Sequence, residues 1–124
     1  MVSSPVMRPL GPILVLMLGV SACAPPIPDG GFHGPQAASQ IYAAIKLVRT
    51  YRGPYATASG IPPRAALEAL VGMLDSSDPA SRFVAVEALR DLTGETFGFD
   101  PSDPLPERAT AVQRWKTWVE LRQT

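Results

Sequence analysis

Apolar positions recur at helical spacing in three parts of the chain, and the middle part carries the clearest signal. In the stretch from Pro63 to Gly94, Leu67, Leu70, Val71 and Leu74 stand at i, i+3, i+4 and i+7, which places them on one stripe of a helix. A polar break, Asp75-Ser76-Ser77-Asp78, follows. Asp78-Pro79 restarts the helix, because the carboxylate caps free N–H groups while proline occupies the first turn, where no N–H is needed. Ala85, Ala88, Leu89 and Leu92 form the next stripe, and Phe83, Val84 and Val86 make that helix apolar on its flanks, so it requires more than one neighbour. Thr93-Gly94 ends it with a residue suited to a left-handed cap. The connection between the two helices is short enough to force an antiparallel pair.

Upstream, the pattern predicts a helix from Pro35 or Ala37 to Tyr51, with Ile41, Ala44, Ile45 and Val48 as its buried stripe and Gly53-Pro54 as its stop. Lys46, Arg49 and Arg52 fall in or just beyond its C-terminal half, where basic residues complement the helix dipole. Residues 52–63, rich in Gly, Pro and Ser, read as a loop that lets this helix pack independently on the central pair. Downstream, a helix is expected from near Pro106, with Leu105 at the N-cap and Ala111, Val112, Trp115, Trp118 and Val119 on one face. Trp115 is expected to anchor this helix against Leu89 and Leu92. Phe97 and Phe99, in the loop before it, are expected to fold back over the helix ends. The fold class is therefore all-α, with about four helices in a short solenoid or small bundle.

The first 22 residues read as a segment outside the fold. Arg8 is the one charge ahead of an apolar run from Leu10 to Val20, which is shorter than a spanning helix and interrupted by Gly11 and Pro12. Val20-Ser21-Ala22-Cys23 follows directly and resembles the bacterial lipobox. That resemblance implies cleavage after residue 22, acylation of Cys23, and attachment to the cell envelope. Ala24 in place of aspartate implies, by the same resemblance, the periplasmic face of an outer membrane where the organism has one. Cys23 is the only cysteine, so no disulfide within the chain is available and acylation accounts for an otherwise unpaired thiol. Residues 23–36 hold several prolines and glycines without apolar periodicity and read as an extended tether, leaving 37–124 as the domain.

Leu67, Leu70 and Leu74 followed by Asp78, Pro79, Arg82, Ala85, Ala88 and Leu89 resemble the two helices and turn of a HEAT repeat, with its D-P-x-x-R-x-x-A-x-x-A-L pattern. The segment from Leu92 to Trp118, with Thr93-Gly94, Phe97-Gly98, Asp100-Pro101 and Arg114-Trp115, is similar to the terminal part of bacterial HEAT-like proteins. The resemblance implies an α-solenoid type of fold and protein binding, and it implies no reaction. Only one well-formed repeat is present, fewer than the three of a free-standing solenoid. Arg82 is expected to pair with Asp78 at i, i+4.

Charge and chemistry narrow the function classes. Eleven basic and eleven acidic residues leave no broad field for nucleic acid or anionic lipid. His33 stands alone in the tether, and Asp75, Asp78, Asp100 and Asp103 lack the spacing of a calcium loop, so no metal or cofactor is expected. Glu87 and Asp91, one turn apart, are the nearest approach to a carboxylate pair, and no nucleophile or phosphate-loop motif accompanies them; no catalytic residue is assigned. Tyr42, Tyr51 and Tyr55 with the neighbouring basic residues, and Arg114 and Lys116 beside the two tryptophans, are the candidate interaction surface. Against that reading, tyrosines also seal the edges of small cores, and Trp115 and Trp118 share the apolar stripe. The function expected is an envelope lipoprotein whose helical domain binds or scaffolds another envelope protein. The alternative is a ligand-binding or enzyme-accessory lipoprotein with an aromatic-lined groove.

Overall fold

The computed structural model describes residues 26–122, so the segment expected to be a signal peptide, the lipobox-like residues 20–23 and the acylation expected at Cys23 lie outside the described residues. Among the described residues the secondary structure is helical throughout: a 3-10 turn at Gly31–His33, then α1 (Ala37–Tyr51), α2 (Arg64–Leu74), α3 (Pro79–Thr93) and α4 (Leu105–Glu120). The described residues form an all-α fold, as the periodicity predicts.

The α2–α3 hairpin forms for the reasons visible in its sequence. Asp78 Oδ2 accepts from both the backbone N–H and the hydroxyl of Ser81, each at 2.8 Å, and Ser81 is fully buried beneath this cap. Pro79 takes the first helical position, and Gly94 closes α3 with φ 80°, donating its N–H to the Arg90 carbonyl at 2.8 Å. Arg82 departs from expectation. Its Nη1 donates to the carbonyls of Ser76 and Ser77 at 3.0 and 3.1 Å, so it fastens the turn rather than forming an ion pair with Asp78.

The helices pack as a row, α1 on α3, α3 on α2, and α2 on α4. The core runs through all four: Ala44, then Leu67, Leu70 and Leu74, then Ala85, Leu89 and Leu92, then Val112, Trp115 and Val119. This row accounts for the apolar flanks of α3, whose two neighbours are α1 and α2. It also adds to the role expected of Trp115, which shares the core with Leu89 and Leu92. The last helix rests mainly on α2 rather than on α3, and the Trp115 indole reaches the segment after α3, donating to the Thr96 carbonyl at 2.9 Å.

That segment is a clamp. Phe97, at a left-handed φ of 50°, stands edge-on to Trp115 with centroids 4.6 Å apart, and Trp115 meets Trp118 at 5.5 Å and 83°. Phe99 is buried, so both phenylalanines fold inward as expected. The Asp100 carboxylate accepts from the N–H of Ser102, making a turn of the first Asp-Pro step. Pro104, not Leu105, is the N-cap of α4, and it offers no side-chain cap.

Two loop expectations also change. Residues 52–63 do not free α1: Thr57 and Ala58 donate back to the Thr50 carbonyl, and Arg52 holds Gly60. Nor is the chain before α1 extended over its whole length. Phe32 packs against the core, Gly34 is buried against Ser39, and Gln40 Nε2 donates to the Gly34 carbonyl at 3.2 Å.

Candidate functional site

The candidate residues are distributed over separate places. Tyr42 and Tyr51 are nine residues apart on α1, about half a turn out of phase, so they face opposite sides. Tyr51 is half-buried and packs against the core, Tyr42 is exposed, and Tyr55 projects from its loop at 90% exposure. Arg114 donates through Nη1 to the Phe97 carbonyl at 3.2 Å, serving the clamp. Lys116 lines a cleft between α2 and α4 with Arg64, Glu68 and Glu120. They form no single basic and aromatic strip. Trp115 is inaccessible, and Trp118 carries the Arg122 guanidinium 4.6 Å above its ring.

Two further grooves adjoin α1. One, of about 290 Å³, lies between α1 and α3, with Ala44, Val48, Val84 and Ala88 at its base and Ile45 and Phe83 at its rim. Phe83 is 56% exposed and Ile45 37%, a large apolar exposure for residues facing one another across two packed helices. The other, about 680 Å³ and open to solvent, follows the outer face of α1, where Tyr42, Ile45, Lys46 and Arg49 meet Ile27, Pro28 and Phe32 from the chain ahead of the helix. The grooves share Ile45 and Arg49.

Sequence spacing assigns Ile45 to the buried stripe because it lies one residue from Ala44 and three from Val48; in the row of helices the burial on α1 centres on Ala44, and Ile45 turns outward. Arg52 is a structural residue whose partners are distant in sequence. It donates to the carbonyls of Asp91 and Leu92 in the last turn of α3, where no intrahelical partner is available.

The carboxylates have ordinary duties. Glu68 pairs with Arg64 at 2.6 Å and Glu87 pairs with Arg90. Asp78 is held below the usual aspartate range, chiefly by the Ser81 hydroxyl and then by the Ser81 N–H, so it remains a charged cap. Among the described residues, no three His, Cys, Asp or Glu side chains gather around a position for a metal ion, and no helix is long and apolar enough to cross a membrane. No protein-family model matches the chain, and neither does any curated protein or solved structure.

Proposed function

We propose that this chain is an envelope lipoprotein, acylated at Cys23, whose HEAT-like helical domain acts as a protein-protein interaction or scaffold module. The observation that carries the interaction reading is the groove between α1 and α3: its apolar base and its exposed Phe83 and Ile45 suit an apolar segment of an envelope protein. The lipobox-like Val20 to Cys23 supports attachment, and Ala24 favours the periplasmic face of an outer membrane where one exists. A photo-crosslinking residue at Phe83, incorporated in the native envelope, should give one discrete adduct that Ile45→Asp abolishes, while the same probe at exposed Gln113 on α4 gives none. Equal adducts at both positions, or none at Phe83, would reject the interaction reading. Cys23→Ser should abolish acyl labelling.

One observation favours the alternative of a ligand-binding accessory lipoprotein: the groove at Tyr42 and Phe32 has the volume of a small-molecule site. It is an open trough on one helix face, without the enclosure that buries most of a ligand. Saturable binding of a small apolar molecule, lost in Tyr42→Ala, would establish that reading instead.

A further inference from the structure

The segment ahead of α1 brings the proposed attachment point close to one face of the domain. Gly34 sits so near Ser39 that a Cβ there would come within 2.1 Å of the Ser39 hydroxyl, and the Gly34 carbonyl is held by Gln40. The chain is thereby fixed along α1, and Ile27 and Pro28 line the trough on its outer face. Cys23 is four residues before Ile27, so a fully extended chain separates the two by at most about 14 Å. A tether this short keeps α1 near whatever holds Cys23.

The face it presents has a distinct composition. Ala38, Tyr42, Ile45, Lys46 and Arg49 are all exposed and stand at i, i+4, i+7, i+8 and i+11, forming one stripe along α1. Exposed Ile27 lies beside it. Helix α1 contains no carboxylate, and among the described residues neither Lys46 nor Arg49 belongs to an ion pair. Glu87 and Asp91 border only the α3 side of the stripe, near Arg49, Glu87 is paired with Arg90, and the one carboxylate in the segment ahead of α1 is exposed Asp29, which lines a separate cleft with Pro35 and Gln36. Apolar tips, one tyrosine and two long cationic side chains on a single face match the interface of a bilayer. There isoleucine enters the acyl boundary, tyrosine lies at headgroup depth, and lysine and arginine reach phosphates.

We infer that the outer face of α1 rests on the membrane, with anionic phospholipid headgroups as the partner of Lys46 and Arg49 and with Ile27 in the apolar boundary, while Ile45 stays on the edge of the stripe that faces Phe83. This rests on the proposed acylation of Cys23 and adds to it an orientation: the domain lies on the bilayer by α1 instead of swinging free. The near balance of charge over the whole chain conceals this segregation, because the acidic residues of the domain stand on the other helices and loops. Helix α4, at the opposite end of the row, faces away from the lipid.

The test uses the full chain, processed in cells, purified with its acyl groups, and reconstituted in phosphatidylcholine vesicles with and without phosphatidylglycerol. With Cys23 acylated, a cysteine introduced at exposed Ala38 or at exposed Gln113 is the only thiol available for a fluorophore. A headgroup nitroxide should quench the probe at position 38 at least about threefold more than at 113, given the shallow depth of an interfacial helix. Phosphatidylglycerol should increase that difference, and Lys46→Gln with Arg49→Gln should remove the increase, each charge contributing about fivefold to partitioning on an anionic surface. If the mass of the N-terminal peptide shows acylation and both positions are quenched alike, the orientation is overturned and the lipoprotein reading stands. If the acyl mass is absent, both are overturned. Quenching at 38 that ignores phosphatidylglycerol and both substitutions would overturn the headgroup pairing.

Discussion

The Arg52 guanidinium donates through Nη2 to the Leu92 carbonyl at 2.8 Å, joining the end of α1 to the end of α3. Its Nε reaches Asp91 at 3.1 Å, and its Nη1 holds the carbonyls of Gly60 and Tyr51 at 2.8 and 2.9 Å. One side chain thus closes two helix ends and a loop, and the planar fork is what permits it. Arg52→Ala should lower stability by about 1–2 kcal/mol, the lower part of the range for charged hydrogen bonds because the group is partly solvated. Arg52→Lys should recover less than half of that, since a single ammonium cannot address carbonyls spread over a fork. Urea unfolding with an unchanged slope would measure both.

Trp115 unites the core and the clamp, being fully buried and bonded to Thr96. Trp115→Ala should cost about 3–5 kcal/mol, a large share of the roughly 5–15 kcal/mol typical of a domain. Any loss of binding should follow the unfolded fraction. Trp115→Phe keeps most of the packing and leaves the Thr96 carbonyl without its donor, so it should cost less, about 1–3 kcal/mol. A Trp115→Ala variant that melts like the parent yet loses a partner would reassign this residue to binding.

Asp78 gives a pH dependence with a defined sign. Its carboxyl is held below the ordinary value chiefly by the Ser81 hydroxyl and then the Ser81 N–H, so the native state favours the charged form more than the unfolded chain does. Its contribution is therefore complete above about pH 4, the unfolded aspartate value, and is lost as the pH falls through the lower native value. The difference in melting temperature between the parent and Asp78→Ala should be constant from pH 7 to about pH 5 and should narrow below about pH 4. A gap that widens in acid would contradict the assignment.

The helix pair was legible because its signals are local: the Leu67 to Leu74 stripe, the Asp78-Pro79 start and the Gly94 stop each depend on residues within one or two turns. What escaped was set at long range. The spacing of Ile41, Ala44, Ile45 and Val48 identifies a helix, but which edge of that stripe is covered depends on where α3 lies. Arg52 and Trp115 find carbonyls 40 and 19 residues away, and no local pattern marks a backbone acceptor. The candidate surface suffered in the same way: Tyr42, Tyr51 and Tyr55 are close in sequence, yet the phase of α1 and the loop direct them apart.

Gly34 is the point at which the N-terminal segment is pinned. A methyl group there would meet Ser39 Oγ at 2.1 Å, Ser39 Cβ at 2.9 Å and the Asp29 carbonyl at 3.0 Å, and two of these cannot rotate away. Gly34→Ala should detach the Gly31–His33 turn while leaving the four-helix core intact. Amide exchange at His33, which donates to Gly30, should then accelerate with little change in the amides of α3. Equal acceleration in α3 would show that the segment supports the core itself.

The order of helices in the row differs from their order in the chain, and this affects how a growing chain folds. Helix α1 is made first, yet its principal partner, α3, ends at Thr93, well after Tyr51. Whether the chain leaves a ribosome or a translocation pore, α1 appears ahead of α3 and waits for the residues up to Thr93. Helices α2 and α3 close on each other across a four-residue turn in far less time. The hairpin therefore provides the surface on which α1 later settles, and during that interval Ile41, Ala44 and Val48 are open to any chaperone that handles the emerging chain.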